Sequence, residues 1–423
     1  MKQNDKYRHR FSKMMIQLVD KKGLPIKNKK GNYSLLKHEF LFGAGAFDFV
    51  PLCSKQDNNA ISFYNEKATN KKTFYKERTD KWLHMFNYGT LPFYWGGYET
   101  VEGEVKYESR MNAAKYLKNF GVRVKGHPLC WHTECADWLM KYDEKTILEK
   151  QLERINRDVT AFKGVVDMWD VINETVIMPV YNRYDNAITR ICKKYGRNTL
   201  IKEVFDAAIT ANPDAILLIN DFNLSDEYKN IIAECLEMDV PIKAIGIQSH
   251  QHQGYKGAAW IDEILEKFSC FGLPLHFTEN TLVSGKIMPS DIVDLNDYQV
   301  KEWPSTLEGE LRQEKEWLEM YTKLFAHPLV EAITAWDFAD GAWLNAPSGL
   351  LRADNSEKPS YQSLKKLVHE EWTTKKEFVT DENGIVRIEG FRGEYKVTTE
   401  FGTGVLELKK GQEENVIQVS CCD

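Results

Sequence analysis

Six segments of this chain run apolar and then end in side chains that can do chemistry. They close in Gly126-His127-Pro128-Leu129-Cys130-Trp131-His132, Asn173-Glu174, Asn220-Asp221-Phe222-Asn223, Gln248-Ser249-His250, Thr278-Glu279-Asn280 and Trp336-Asp337-Phe338, with Asp340 and Trp343 just beyond. One such ending is chance; six at equivalent points make a site. Two glutamates from different segments, flanked by amides, imidazoles and indoles, suit cleavage of a glycosidic bond. One carboxylic acid protonates the leaving oxygen while a second carboxylate attacks or stabilises the oxocarbenium-like centre. Amides and histidines hydrogen-bond hydroxyls, and indole faces stack on sugar rings. No Ser-His-Asp arrangement and no phosphate-binding glycine loop competes with this chemistry.

Side chains converge from successive segments when those segments are barrel strands, whose C-terminal ends share one face. Strand-like runs are expected at 41–47, 84–91, 121–127, 166–172, 215–221, 242–248, 272–278 and 330–337. Amphipathic helical stretches fall at 143–161, 198–211, 225–238, 259–270 and 307–326. Eight strand–helix units in one run indicate an α/β fold, a (β/α)8 barrel over about 41–370.

The flanks differ. Residues 11–40 read as a strand pair around a turn at Lys22-Gly23-Leu24-Pro25. Short strands at 378–380, 385–388, 395–398, 405–408 and 416–419 form a small all-β module over 371–423. Strands this few make a thin sheet alone, so the module is expected to join residues 1–40 in one sandwich-like body. It serves as a stabilising cap or as a carbohydrate-binding module.

The 423 residues are 43% hydrophobic with a net charge of −6, which gives no nucleic-acid surface. No run approaches the roughly 20 apolar residues of a membrane span. The polar N-terminus has no signal-peptide pattern, so a cytoplasmic location is expected unless the chain has been trimmed. The eight cysteines (53, 130, 135, 192, 235, 270, 421, 422) are then expected as free thiols. His127, Cys130, His132 and Cys135 superficially resemble zinc ligands, but Trp131 lies between them and no second pair completes the spacing. No metal and no cofactor is expected.

The motifs Gly126-His127-x-Leu129-x-Trp131-His132, Trp169-Asp170-Val171-Ile172-Asn173-Glu174, Asn220-Asp221-x-Asn223, Gln248-Ser249-His250 and Thr278-Glu279 together resemble glycoside hydrolase family 10, over roughly residues 38–368. That family holds retaining β-1,4-xylanases. The resemblance implies Glu174 as acid/base, Glu279 as nucleophile and Asn173 on the sugar 2-OH at the −1 subsite. It places His127 and Gln248 in that subsite, has His250 bonding Glu279, and packs Trp131, Trp336 and Trp343 around the ring. It implies a carbohydrate substrate and assigns no oligomeric state.

Some residues depart from the family pattern. A Glu-Asn-x-x-Lys run that grips the −2 sugar is replaced by Thr90-Leu91-Pro92-Phe93-Tyr94-Trp95, with Tyr94 and Trp95 as candidate sugar contacts. Phe222 stands where tyrosine is usual at +1, Asp337 where glycine is common, and a long segment, 280–306 with Trp303-Pro304, could cover the cleft. The expected substrates are short xylo-oligosaccharides or other β-glycosides. The alternatives are small β-glycosides with an apolar aglycone, and a barrel that binds carbohydrate without cleaving it.

Overall fold

The computed structural model describes residues 5–54, 71–411 and 416–421. Leu41–Gly45 (β1), Tyr88–Pro92 (β2), Arg123–His127 (β3), Met168–Asn173 (β4), Ile216–Asp221 (β5), Ala244–Gln251 (β6), Leu275–Leu282 (β7) and Val330–Ala335 (β8) close into a barrel in that order. Neighbours β1 to β8 pair parallel. Strands enclosed by helices are buried on both faces, which is why β4 and β7 are buried at every position.

The helices Glu144–Phe162, Arg197–Ala211, Asp226–Glu237, Gly257–Ser269 and Leu307–Phe325 match the amphipathic stretches within about two residues. Other helices lie outside those stretches, among them Lys71–Met85, Tyr107–Asn119, Ala187–Tyr195 and Pro359–Lys366. The inward face of Lys71–Met85 carries buried Arg78 and Thr79 among Tyr75, Trp82 and Met85, so polar residues interrupt its apolar stripe. This helix also takes His84 and Met85, and β2 begins only at Tyr88.

Two compact units divide the chain, Phe42–Leu324 with Leu329–Tyr361, and Met1–Leu41 with Phe325–Pro328 and Gln362–Asp423. The second unit holds two sheets. In one, Phe11–Val19 lies between Ile385–Phe391 and Val416–Ser420; in the other, Lys30–His38 lies between Lys375–Val379 and Gly393–Thr399, with Gly402–Leu408 at the edge. The two N-terminal strands therefore do not pair with each other, as the sequence suggested, but enter opposite sheets. The turn between them is closed locally by the Asp20 carboxylate, which accepts from the backbone N–H groups of Lys22 and Leu24 at 2.8 and 2.9 Å. Alternate side chains of Phe11–Val19 point inward, and Met14, Ile16 and Leu18 share one core with Tyr33, Ile388 and Val397.

Seven described cysteines are free thiols, and Cys422 lies outside the described residues. Among the described residues no helix is long and apolar enough to cross a membrane.

Candidate active site

The barrel's C-terminal face brings most of the expected residues together around two carboxyl groups. Glu174 follows β4 in a left-handed backbone conformation, φ 59°, which a side-chain-bearing residue adopts at a cost of about 1–3 kcal/mol. The surroundings enforce it. The Glu174 N–H donates to Asn220 O at 2.8 Å, while the Thr175 hydroxyl and Val176 N–H both donate to Asp221 Oδ2, at 3.1 and 3.0 Å. The Trp131 indole N–H donates to Glu174 Oε2 at 2.9 Å and the Asn173 amide to Oε1 at 3.3 Å.

Glu279, near the end of β7, is held differently. Asn220 donates to its Oε1 at 2.7 Å, and His250 Nε2 lies 3.2 Å from its Oε2. The second nitrogen of His250, Nδ1, lies 3.4 Å from the Thr281 hydroxyl, which also faces His252 Nδ1 at 3.2 Å. His127 Nε2 is 4.0 Å from Oε1. Its other nitrogen, Nδ1, meets Asp170 Oδ2 at 2.7 Å, and Lys125 meets the same oxygen at 2.6 Å, both partners fully buried. This pair fixes the orientation of His127 from inside the barrel.

The two carboxyls therefore hold different charge. Burial above all, then the charges of Asp221 and Glu279, push Glu174 up to about 8, against the N–H groups of Trp131 and Gln248. Its imidazole neighbour, His132, lies 4.0 Å away and is itself driven down to about 3 by burial, so it brings no positive charge. Burial opposes ionisation of Glu279 as well, but His127 and His250 beside it, with Lys125 behind, hold it below the usual glutamate value. At neutral pH Glu174 is an acid and Glu279 a carboxylate.

Two amides join them. Asn173 Oδ1 accepts from Asn220 at 2.8 Å and from Gln248 at 2.9 Å, while Asn220 Oδ1 accepts from the Thr278 hydroxyl at 2.7 Å. Asn220 thus touches β4 and β7 at once. Sequence reasoning gave it no role, and likewise none to Asp170 and Lys125. The available signal was a charged or amide side chain inside an otherwise apolar strand, a placement that needs a partner.

Aromatic rings line one side of the mouth. Tyr94 stands edge-on to His127 with centroids 5.6 Å apart and is 5.7 Å from Trp131, and Trp336 packs against His127 at 5.3 Å. Trp343 lies 4.6 Å from His250, and Phe222 is 43% exposed on the loop after β5.

The rewritten 90–95 run behaves differently from its sequence reading. Trp95 turns away from the carboxyls; it is buried, donates to Glu99 at 2.9 Å and lies under the Arg154 guanidinium at 4.8 Å. Phe93 packs into the core against Trp169. Only Tyr94 of that run reaches the site residues. Asp337 is likewise structural: buried and pushed up to about 7, it accepts from Ser348 within the loop that carries Trp343. Among the described residues no cluster of three or more His, Cys, Asp or Glu is arranged for a metal ion, and His127 is engaged with Asp170 as above.

Known proteins resemble this chain in sequence and in fold. A bifunctional endo-1,4-beta-xylanase/feruloyl esterase of Xylanibacter ruminicola is 25% identical over 307 residues, 65% of this chain and 41% of that protein. A beta-1,4-xylanase of Dictyoglomus thermophilum is 28% identical over 236 residues, 54% of this chain and 63% of that one. The match thus spans less than two thirds of either relative. Among solved structures, xylanase 10B of Thermotoga petrophila RKU-1 in complex with xylobiose superposes with a TM-score of 0.60 at 21% identity, covering 79% of this chain and 95% of that one, a likeness of fold. The model of glycosyl hydrolase family 10 matches residues 59–367, well over half of the 423, and to that family the chain belongs.

Proposed function

We propose that the protein hydrolyses β-glycosidic bonds in short xylo-oligosaccharides or related β-glycosides, with retention, through a covalent glycosyl-enzyme. The observation that carries this is the unequal protonation of two carboxyls, one a neutral acid and one an anion, linked through Asn173 and Asn220. In the first step a Glu279 oxygen bonds to the anomeric carbon as the glycosidic C–O bond breaks. The leaving oxygen keeps that electron pair and takes the Glu174 proton. In the second, water attacks the anomeric carbon, the ester bond to Glu279 breaks, and Glu174 takes the water proton.

The electrostatics favour this exchange of roles. The Glu279 charge is one cause of the raised Glu174 value, and it vanishes once Glu279 is esterified. Glu174 then loses that contribution while its burial remains, a downward shift in the direction the second step's base needs. In this reading Asn173, Gln248 and His127 bond sugar hydroxyls, and Tyr94, Trp131, Trp336 and Trp343 pack on the ring.

A binding-only barrel has no need for two adjacent carboxyls, one held protonated and one held ionised. The reading with an apolar aglycone draws on Phe222, whose exposed ring lacks the hydroxyl of the tyrosine expected there. The decisive experiment is hydrolysis of an aryl β-xyloside by the wild type and by Glu279→Ala. Turnover is expected only for the former, and failure of the wild type on every β-glycoside would sink the enzyme reading.

A further inference from the structure

The segment after β7 does not simply return to its helix. Between Val283 and Trp303 it builds a small core with the loop after β8, in which its Val283, Met288 and Trp303 are buried with Ala346 of that loop, and Ile287, Ile292 and Tyr298 pack against them. From that core it reaches two other loops of the barrel mouth. Toward the loop after β6, the Met288 N–H donates to His252 O at 3.0 Å, and the Gln253 amide donates to the carbonyls of Pro289 and Ile292 at 2.9 and 2.7 Å. Toward the loop after β4, Arg183 donates to Asp294 and, at 2.8 Å, to Asp297.

The strands fix what lies beneath. A bridge from the loop after β7 to the loop after β4 spans the ends of β5 and β6. The opposite part of the mouth is lined by rings from β1, β2, β3 and β8, with Phe47 5.3 Å from Trp336 and Tyr94 5.6 Å from His127. A sugar chain seated against those rings can continue only over β4 to β6, the side on which Glu174 meets the leaving oxygen.

We propose that the Arg183–Asp294/Asp297 bridge fences the leaving-group side of the cleft, so that the protein accepts a short or apolar leaving group and does not cut within long chains. This rests on the hydrolase reading above. Apolar side chains stand on the two bridged loops, where Val180 is 70% exposed and Val293 100%, and on the loop after β5 that the bridge spans, where Phe222 is 43% exposed. They favour an aromatic or alkyl leaving group over a further run of sugars. The ion pair is half-exposed and contributes little to stability, since exposed pairs are screened by water. The core shared with the loop after β8 holds the segment in place; the ion pair closes the remaining gap. Removing the pair should therefore open the fence without unfolding the segment.

The test compares wild type, Arg183→Ala and the double variant Asp294→Asn/Asp297→Asn on 4-nitrophenyl β-xylobioside and on xylohexaose, with melting temperatures alongside. The wild type should cleave xylohexaose near one end, releasing one or two sugars on the leaving side. Both variants should raise kcat/KM on xylohexaose at least fivefold relative to the aryl substrate and shift products toward xylotriose. Mid-chain cleavage by the wild type, or an unchanged ratio in both folded variants, overturns the fence and leaves the hydrolase reading intact. No turnover of either substrate by the wild type overturns both.

Discussion

Glu174 and Glu279 have the same side chain and are both deep in the barrel mouth, so burial alone would make both neutral. What separates them is the company each keeps. Glu279 faces His250 at 3.2 Å and His127 at 4.0 Å, whereas the imidazole beside Glu174 is a neutral His132. The sign of the pH response follows. Chemistry needs Glu174 protonated and Glu279 ionised, so kcat/KM should be lost as pH rises through about 8 and again as it falls through the depressed value of Glu279. A profile without a basic limb would reassign the acid. Removing it by Glu174→Ala should slow glycosides with poor leaving groups by about 10²–10⁴-fold, yet spare the first step for a dinitrophenyl leaving group, which departs without a proton. Equal losses in the two classes would contradict the role. Both glutamates were legible in the sequence because each ends an apolar strand beside an amide or hydroxyl, and that signal is local. Of the histidine pair that sets their difference, His250 was assigned to Glu279 only through the family resemblance, and His127 only to the sugar subsite. Which ring meets which carboxyl is decided by register across three strands.

The strands could be read for the same reason: each is an apolar run ended by polar groups, and burial on both faces writes itself into composition. The polar residues inside them could not be read, because Lys125, Asp170 and Asn220 look like defects until their partners on neighbouring strands are in place. Trp95 failed in the opposite direction. An indole beside a sugar-binding loop looks like a stacking platform, but here it packs under Arg154, whose guanidinium donates to the carbonyls of Phe93, Pro128 and Leu129. Strand packing also explains one glycine. A Cβ on Gly126 would fall 2.1 Å from the Trp169 ring, which Phe93 and Phe162 confine from other directions. Gly126→Ala should therefore cost about 1–3 kcal/mol through overpacking, with a measurably lower melting temperature. Because His127 follows directly and Trp169 leads to Asn173-Glu174, activity should fall with it. An unchanged melting temperature would show that Trp169 has room to move.

The unit of Met1–Leu41, Phe325–Pro328 and Gln362–Asp423 is assembled from segments far apart in the chain, and its stability depends on that closure. Phe11–Val19 is the middle strand of its sheet, pairing antiparallel with Ile385–Phe391 and parallel with Val416–Ser420. Lys30–His38 is inner in the other, between Lys375–Val379 and Gly393–Thr399. Arg10 ties the same end to the Phe325 and His327 carbonyls, at 3.0 and 2.6 Å. Deleting residues 1–38 would remove a central strand from both sheets, together with Met14, Ile16, Leu18 and Tyr33 from the shared core. The remaining strands would present unpaired backbone and half a core, which short strands do not survive in water. The C-terminal residues of the truncated protein should lose amide-exchange protection and become the first site of proteolysis. A central strand removed from each sheet predicts loss across the whole of 375–421; protection retained over Gly393–Leu408 would show that this hairpin holds without its N-terminal partners.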